Sequence, residues 1–183
     1  MGEVSSNANS VTLRGALPPD TDAIAEIWLN GWHDGHRGLV PDELVEVRTP
    51  GSFTVRAAAR IRDTTVALVD GAVAGFVMVV DDEVEQVYVS SLHRGSGVAS
   101  VLMAEAERQV RANGHAKAWL AVVAGNSRAR AFYRNAGWGD EGPFVYSASS
   151  DSGPIDVPCH LYTKFVGRGS HVDATNPESF DAR

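Results

Sequence analysis

The run Arg94-Gly95-Ser96-Gly97-Val98-Ala99 places a permanent cation and two glycines just ahead of an apolar-periodic stretch, a combination suited to holding a phosphate. Where a strand ends and a helix begins, consecutive backbone N–H groups and the positive end of the helix dipole converge on one anion. Glycine lets a phosphate approach the backbone closely, and the Arg94 guanidinium matches a pyrophosphate. An empty tight turn would use the same glycines. The P-loop pattern requires Lys and then Ser or Thr after its last glycine, whereas Val98, Ala99 and Ser100 follow here. The dinucleotide fingerprint would need Gly or Ala in place of Ser100 and opens a parallel fold, while antiparallel strands precede this turn, so that reading fits poorly.

The elements that must position this turn follow from periodicity and turn chemistry. Val11 and Leu13 alternate with polar neighbours as a first strand, and Pro18, Pro19 and Asp20 turn into a helix whose buried face is Ala23, Ile24, Ile27 and Trp28. The glycines and proline of GWHDGHRGLVPDELV predict an irregular loop before a short helix near Asp42. Strands over 65–69 and 72–80 form a hairpin around Asp70-Gly71, a pair suited to positive backbone angles. A third strand, 84–89, alternates so that Glu85, Val87 and Val89 share one face and Gln86 and Tyr88 the other. After the glycine turn, Val98, Val101, Leu102, Ala106 and Val110 recur at helical spacing up to Asn113-Gly114. A strand over 119–123 leads through Gly125 and Asn126 into a helix striped by Ala129, Phe132, Tyr133 and Ala136 and stopped at Gly137. Strands at 144–147 and 161–166, joined by the loop ASSDSGPIDVP, close the pattern. The expectation is an α/β fold, a mixed sheet with helices on both faces. Residues 1–10 and 167–183 read as flexible tails around one domain over 11–166.

Bulk properties exclude several classes. The 183 residues, 44% hydrophobic and 21% charged, suit one soluble domain with a real core. The sequence shows no bilayer-spanning apolar run and no export signal, which predicts a cytoplasmic protein. The net charge of −7 argues against nucleic-acid binding through phosphate neutralisation. The single Cys159 fits a reducing compartment as a partly buried small side chain. His33 and His36 have metal-like spacing without accompanying ligands, so no metal is expected.

The segment VYVSSLHRGSGVASVLMAEAE resembles the acetyl-CoA signature of the GNAT-type N-acetyltransferases, with Arg94, Gly97 and Ala99 at its fixed positions. About thirty residues on, VVAGNSRARAFYRNAGW is similar to the family's second signature, with Asn126, Ala131, Phe132, Tyr133, Gly137 and Trp138 in place. At the level of element order the resemblance covers roughly 11–166. It implies a GNAT-type fold whose mixed, mostly antiparallel sheet splays at its fourth and fifth strands. It also implies acetyl-CoA as co-substrate, held by Val87, Tyr88, Val89, Arg94, Gly95, Ser96, Gly97, Val98, Ala99, Asn126 and Tyr133, and it admits a homodimer.

Acetyl transfer needs a neutral nucleophile, help for the developing oxyanion and a proton for the departing thiolate. The resemblance gives the proton to Tyr133 and the oxyanion to the N–H of Val89; as plain structure, Tyr133 would merely edge a core stripe and Asn126 would cap a helix. An amine with a pKa of about ten must also lose a proton. Glu85 is the leading base, with His33, Asp34, His36 and His160 as rivals and a solvated strand end as its bland alternative. Trp32, His33, His36 and His160 are the candidate substrate contacts. The acceptor is expected to be a small-molecule amine, an amino acid derivative, polyamine or aminoglycoside, and the acidic run at 81–85 leans towards a cationic one. A protein N-terminus or lysine is the alternative acceptor. A non-catalytic acyl-CoA sensor is the alternative class.

Overall fold

A computed structural model describes residues 10–167; the stretches 1–9 and 168–183, on which most of both expected tails falls, lie outside the described residues. Seven strands form one sheet: β1 (Thr12–Gly15), β2 (Thr64–Val69), β3 (Ala72–Val80), β4 (Glu83–Val89), β5 (Lys117–Val123), β6 (Gly139–Ala148) and β7 (Ile155–Phe165). Their order is β1-β2-β3-β4-β5-β7-β6, antiparallel except where β4 meets β5. The hairpin between β2 and β3 turns on Asp70 (φ 51°) and Gly71 (φ 80°), both in the left-handed region a tight turn needs.

Helices cover both faces. On one side α4 (Val98–Ala112) and α5 (Ser127–Asn135) pack on the sheet, and Leu102, Ala106 and Val110 meet Val77, Leu120 and Tyr162. On the other side lie α1 (Thr21–His36), α2 (Asp42–Val47) and α3 (Pro50–Ala59), where Ile24, Trp28, Phe53 and Ala57 bury Val66, Phe76 and Met78. Each large side chain fully buried in this way contributes about 1.5–3 kcal/mol. No helix among the described residues is long and apolar enough to cross a membrane.

Three sequence expectations are corrected. The predicted irregular loop at Gly31 to His36 is instead the last part of α1. A Cβ on Gly31 would stand 2.3 Å from Cδ1 of Tyr88, and one on Gly35 would stand 2.9 Å from Nδ2 of Asn126. These glycines therefore serve close approach of the helix to the sheet and to the start of α5, at a modest propensity cost that tertiary packing outweighs. Gly31→Ala is accordingly expected to destabilise the fold by about 1–3 kcal/mol in urea unfolding, as overpacking does. Trimming the ring in Gly31→Ala/Tyr88→Ala should remove that penalty, so the two losses should not add.

The closing strands run longer than their patterns suggested. Ile155 to Pro158, expected in the loop, pair with β6, with Pro158 opposite Val145. Pro158 is tolerated because its carbonyl accepts from Ala124 N–H at 3.1 Å, just past the end of β5, so its missing N–H falls where that ladder has finished. Finally, 50–59, which had suggested no element, is α3, begun by Thr49 as N-cap (Ser52 N–H to Oγ1, 3.3 Å) and Pro50 at the first turn.

Candidate active site

Only one residue pair, Glu83 with Trp119, joins β4 to β5; beyond it the strands part. A cavity of about 790 Å³ fills the gap, bounded at one end by the N-terminus of α4 and at the other by α1, α2, α3 and the ends of β6 and β7.

At the α4 end, Gly95 (φ 77°) and Gly97 (φ 88°) hold the left-handed turn, and a Cβ on either would meet no protein atom. The first bond into the helix is Val101 N–H to Gly97 C=O at 3.2 Å, so the N–H groups from Gly97 to Ser100 have no acceptor in the helix. Val98 fixes that turn by burying its side chain, and Ser96 closes it through Oγ–H to His93 C=O at 2.6 Å. Arg94 reaches back to Asp34 on α1, Nη2 to Oδ2 at 2.5 Å, and this bond holds the Asp34 carboxyl below its ordinary range. Arg128, on the first turn of α5, adds a second cation to the same rim.

In the middle, Ser90 N–H donates to Ala74 C=O at 2.8 Å. Since N–H groups alternate sides along a strand, those of Val87 and Val89 turn away from β3 into the opening. Tyr133 faces them from α5. Its ring packs on Phe132, Trp138 and Tyr162, its hydroxyl has no hydrogen-bond partner among the described residues, and burial pushes its pKa up to about 12. Asn126 caps α5, its Oδ1 accepting from Ala129 N–H at 3.1 Å, while its residue also lines the cavity.

The far end carries most of the charge. Glu85 was expected to share a face with Val87 and Val89, but the β3–β4 register shifts between Met78 and Val79, which leaves Glu85 without a cross-strand partner. The bulge puts Val84 with Val87 and Val89 on the α4 side, and turns Glu85 to the other face, where Arg60 Nη2 lies 3.2 Å away. Glu83 lies on the cavity too, accepts from Tyr146 O–H at 3.1 Å, and has its pKa raised by burial first and by neighbouring Glu85 and Asp82 after. Of the acidic run, only these two reach the cavity, since Asp82 accepts from Trp119 Nε1 at 3.0 Å and Asp81 serves the turn with φ 53°.

Trp32 and His36 line the same end, stacked with rings 5.1 Å apart. His36 Nδ1 lies 3.0 Å from Trp32 C=O, which can only accept, so Nδ1 carries the ring proton; burial lowers its pKa to about 4 and keeps it neutral. His33 and His160, expected at the substrate, do not line the cavity. His33 packs edge-on against Trp32, and His160 is held by Asp140 (Nδ1 to Oδ1, 2.8 Å) in a cluster with Arg130 and Tyr162 that ties α5 to β6 and β7. Among the described residues no three His, Cys, Asp or Glu side chains are grouped to hold a metal ion.

Residues 23–138 match the sequence profile of the acetyltransferase (GNAT) family. The chain belongs to that family. Similar solved structures include a GCN5-related N-acetyltransferase from Rhodopseudomonas palustris, with TM-score 0.67 and 20% identity over 85% of this chain and 96% of that one. A PaiA N-acetyltransferase from Thermoplasma acidophilum in complex with coenzyme A aligns with TM-score 0.64 and 17% identity, covering 85% and 99% of the two chains. YncA, a putative acetyltransferase from Salmonella typhimurium with its cofactor acetyl-CoA, aligns with TM-score 0.63 and 19% identity over 91% and 99%. At these identities the likeness carries the fold. The search of curated proteins finds no match.

Several cavity residues of this GNAT acetyltransferase escaped the sequence reading: Arg48, Arg56, Arg60, Glu83, Arg128 and Tyr146. Arg128 follows Asn126 within the second signature and could have been found from its place on the first helical turn. Arg48 and Arg56 carried no local signal, because their meeting depends on how α2 and α3 fold over the sheet.

Proposed function

We propose that this GNAT acetyltransferase moves an acetyl group from acetyl-CoA directly to the primary amine of a small molecule. The carrying observation is one cavity that leads from the unbonded N–H groups of α4, past the unpartnered Tyr133 hydroxyl, to a covered end. The cover is built by Arg48, which donates Nη2–H to Ser149 C=O at 2.9 Å, and by Arg56, 3.4 Å from Ser149 Oγ; together they join α2 and α3 to the end of β6. A roofed end suits a compact amine better than a segment of a folded protein.

The residues fit acetyl-CoA. The backbone from Gly97 to Ser100, with Arg94 and Arg128, offers donors and positive charge to a pyrophosphate, and the gap beside Val87, Tyr88 and Val89 admits a narrow arm. When bound, acetyl-CoA supplies a thioester whose acetyl carbon the amine attacks. Val89 N–H is turned to donate to the carbonyl oxygen, and Tyr133, protonated across the physiological range, to give its proton to the thiolate. Glu83 and Glu85 are the candidates to take the amine's proton; Arg60 stands 3.2 Å from Glu85, and burial raises the pKa of Glu83, which suits it to accept a proton.

Calorimetry with acetyl-CoA, followed by thiol release against small amines and N-terminal peptides, tests the proposal. Release with a small amine supports it. Release with peptides alone would transfer the assignment to protein acetylation, and binding without any release would leave a sensor. A further expectation concerns Arg94, which must leave Asp34 to meet a phosphate: Asp34→Ala should tighten acetyl-CoA binding about twofold to fivefold, the worth of an exposed ion pair, and the gain should fade as salt is raised.

A further inference from the structure

Resting on the reading of this cavity as the acceptor site, we propose that the acceptor amine also carries a carboxylate, held by Arg48 and Arg56, so that the substrate is an amino acid or an acid derived from one. The covered end is lined by three arginines, Arg48, Arg56 and Arg60, against two carboxylates, Glu83 and Glu85. Arg60 is accounted for by Glu85 at 3.2 Å and Asp63 at 3.3 Å. Arg48 and Arg56 have no carboxylate within 4.0 Å among the described residues.

Arg48 is only 7% exposed, yet of its five N–H donors one reaches a partner, the neutral carbonyl of Ser149. Arg56 lies over the Trp28 ring at 5.1 Å with its Nε buried and unbonded. The buried Arg48 guanidinium and the half-buried one of Arg56, both reaching Ser149, repel one another, and burial together with Arg56 brings the Arg48 pKa down to about 10, which still leaves it charged at neutral pH. Buried cations are ordinarily paired. A planar carboxylate is the group whose geometry answers two guanidinium forks, and it would remove the repulsion at the same time. The amine end then falls towards Glu83 and Glu85, and the side chain towards Trp32, Leu44 and Val157. The acidic run had suggested a cationic acceptor; the lining of the covered end favours a zwitterion instead.

The test compares the twenty proteinogenic amino acids, their amides, and spermidine and kanamycin in thiol release, with wild type, Arg48→Met and Arg56→Gln. At least one acid should react, and its amide should fall about tenfold to a hundredfold in kcat/KM, through KM, as loss of a charged hydrogen-bond partner does. Arg48→Met or Arg56→Gln should lower the ratio of acid to amide kcat/KM by the same factor, whatever loss both acceptors share from the altered cover. Amides or spermidine turned over as well as the acids, no acid accepted, or an acid preference unchanged in both variants would overturn the inference. If acetyl-CoA itself does not bind, the acetyl-transfer reading fails separately. The inference is then decided by thermal shift with the same acids and amides: stabilisation by acids that is lost in Arg48→Met upholds it, and equal shifts or none refute it.

Discussion

Tyr133→Phe is expected to lower kcat by about 10²- to 10⁴-fold, the range a positioned general acid supplies, while acetyl-CoA affinity stays unchanged. The substitution keeps the ring in contact with Phe132, Trp138 and Tyr162 and removes only a hydroxyl that bonds to nothing among the described residues, so neither stability nor cofactor binding loses a partner. A core residue would behave in the opposite way, with stability falling and turnover per folded molecule preserved. The pH profile supplies a second check. A group whose pKa is raised holds its proton to higher pH, so Tyr133, pushed up to about 12 by burial, stays a competent donor throughout the alkaline range. The rate should therefore climb as the amine loses its proton and show no falling limb from Tyr133 below about pH 12. A descending limb near the ordinary phenol value of about 10 would refute a buried donor.

How much of this was legible in the sequence depended on how local the cause was. Asp70-Gly71, the turn at Gly95 and Gly97, and the caps Asn126 and Gly137 were readable because a few neighbouring residues decide their backbone angles. The strands β2, β3 and β5 were readable from their apolar runs. Gly31 and Gly35 were misread because a glycine that breaks a helix and a glycine that lets a helix touch a sheet look identical until Tyr88 and Asn126 are placed against them. Glu85 was misread because one extra residue in β4 reverses which face a side chain takes, and nothing near Glu85 announces the bulge that its pairing with β3 creates. The acceptor end was the least legible part, since Arg48, Arg56, Glu83 and Tyr146 come from four separate elements and only the folded chain brings them to one cavity.

Gly97→Trp should weaken acetyl-CoA binding by on the order of a hundredfold or more, measured by calorimetry, because at least two charge-assisted backbone bonds would be lost at about 1.5–3 kcal/mol each. Two causes act together at this position. Gly97 holds φ 88°, a region an L side chain rarely enters, and it stands at the N-cap of α4, where the unbonded N–H groups converge. An indole there would fill the open space in front of those groups. Strain alone could also deform the turn, and Gly38→Ala separates the two causes: Gly38 has φ 75° and open surroundings, yet it does not line the cavity. Gly38→Ala should cost stability and leave acetyl-CoA affinity intact, whereas Gly97→Trp should show that loss of affinity at a comparable cost in stability. Equal affinity in wild type and Gly97→Trp would mean that the phosphates rest elsewhere on the chain, and the α4 terminus would revert to a turn without a ligand.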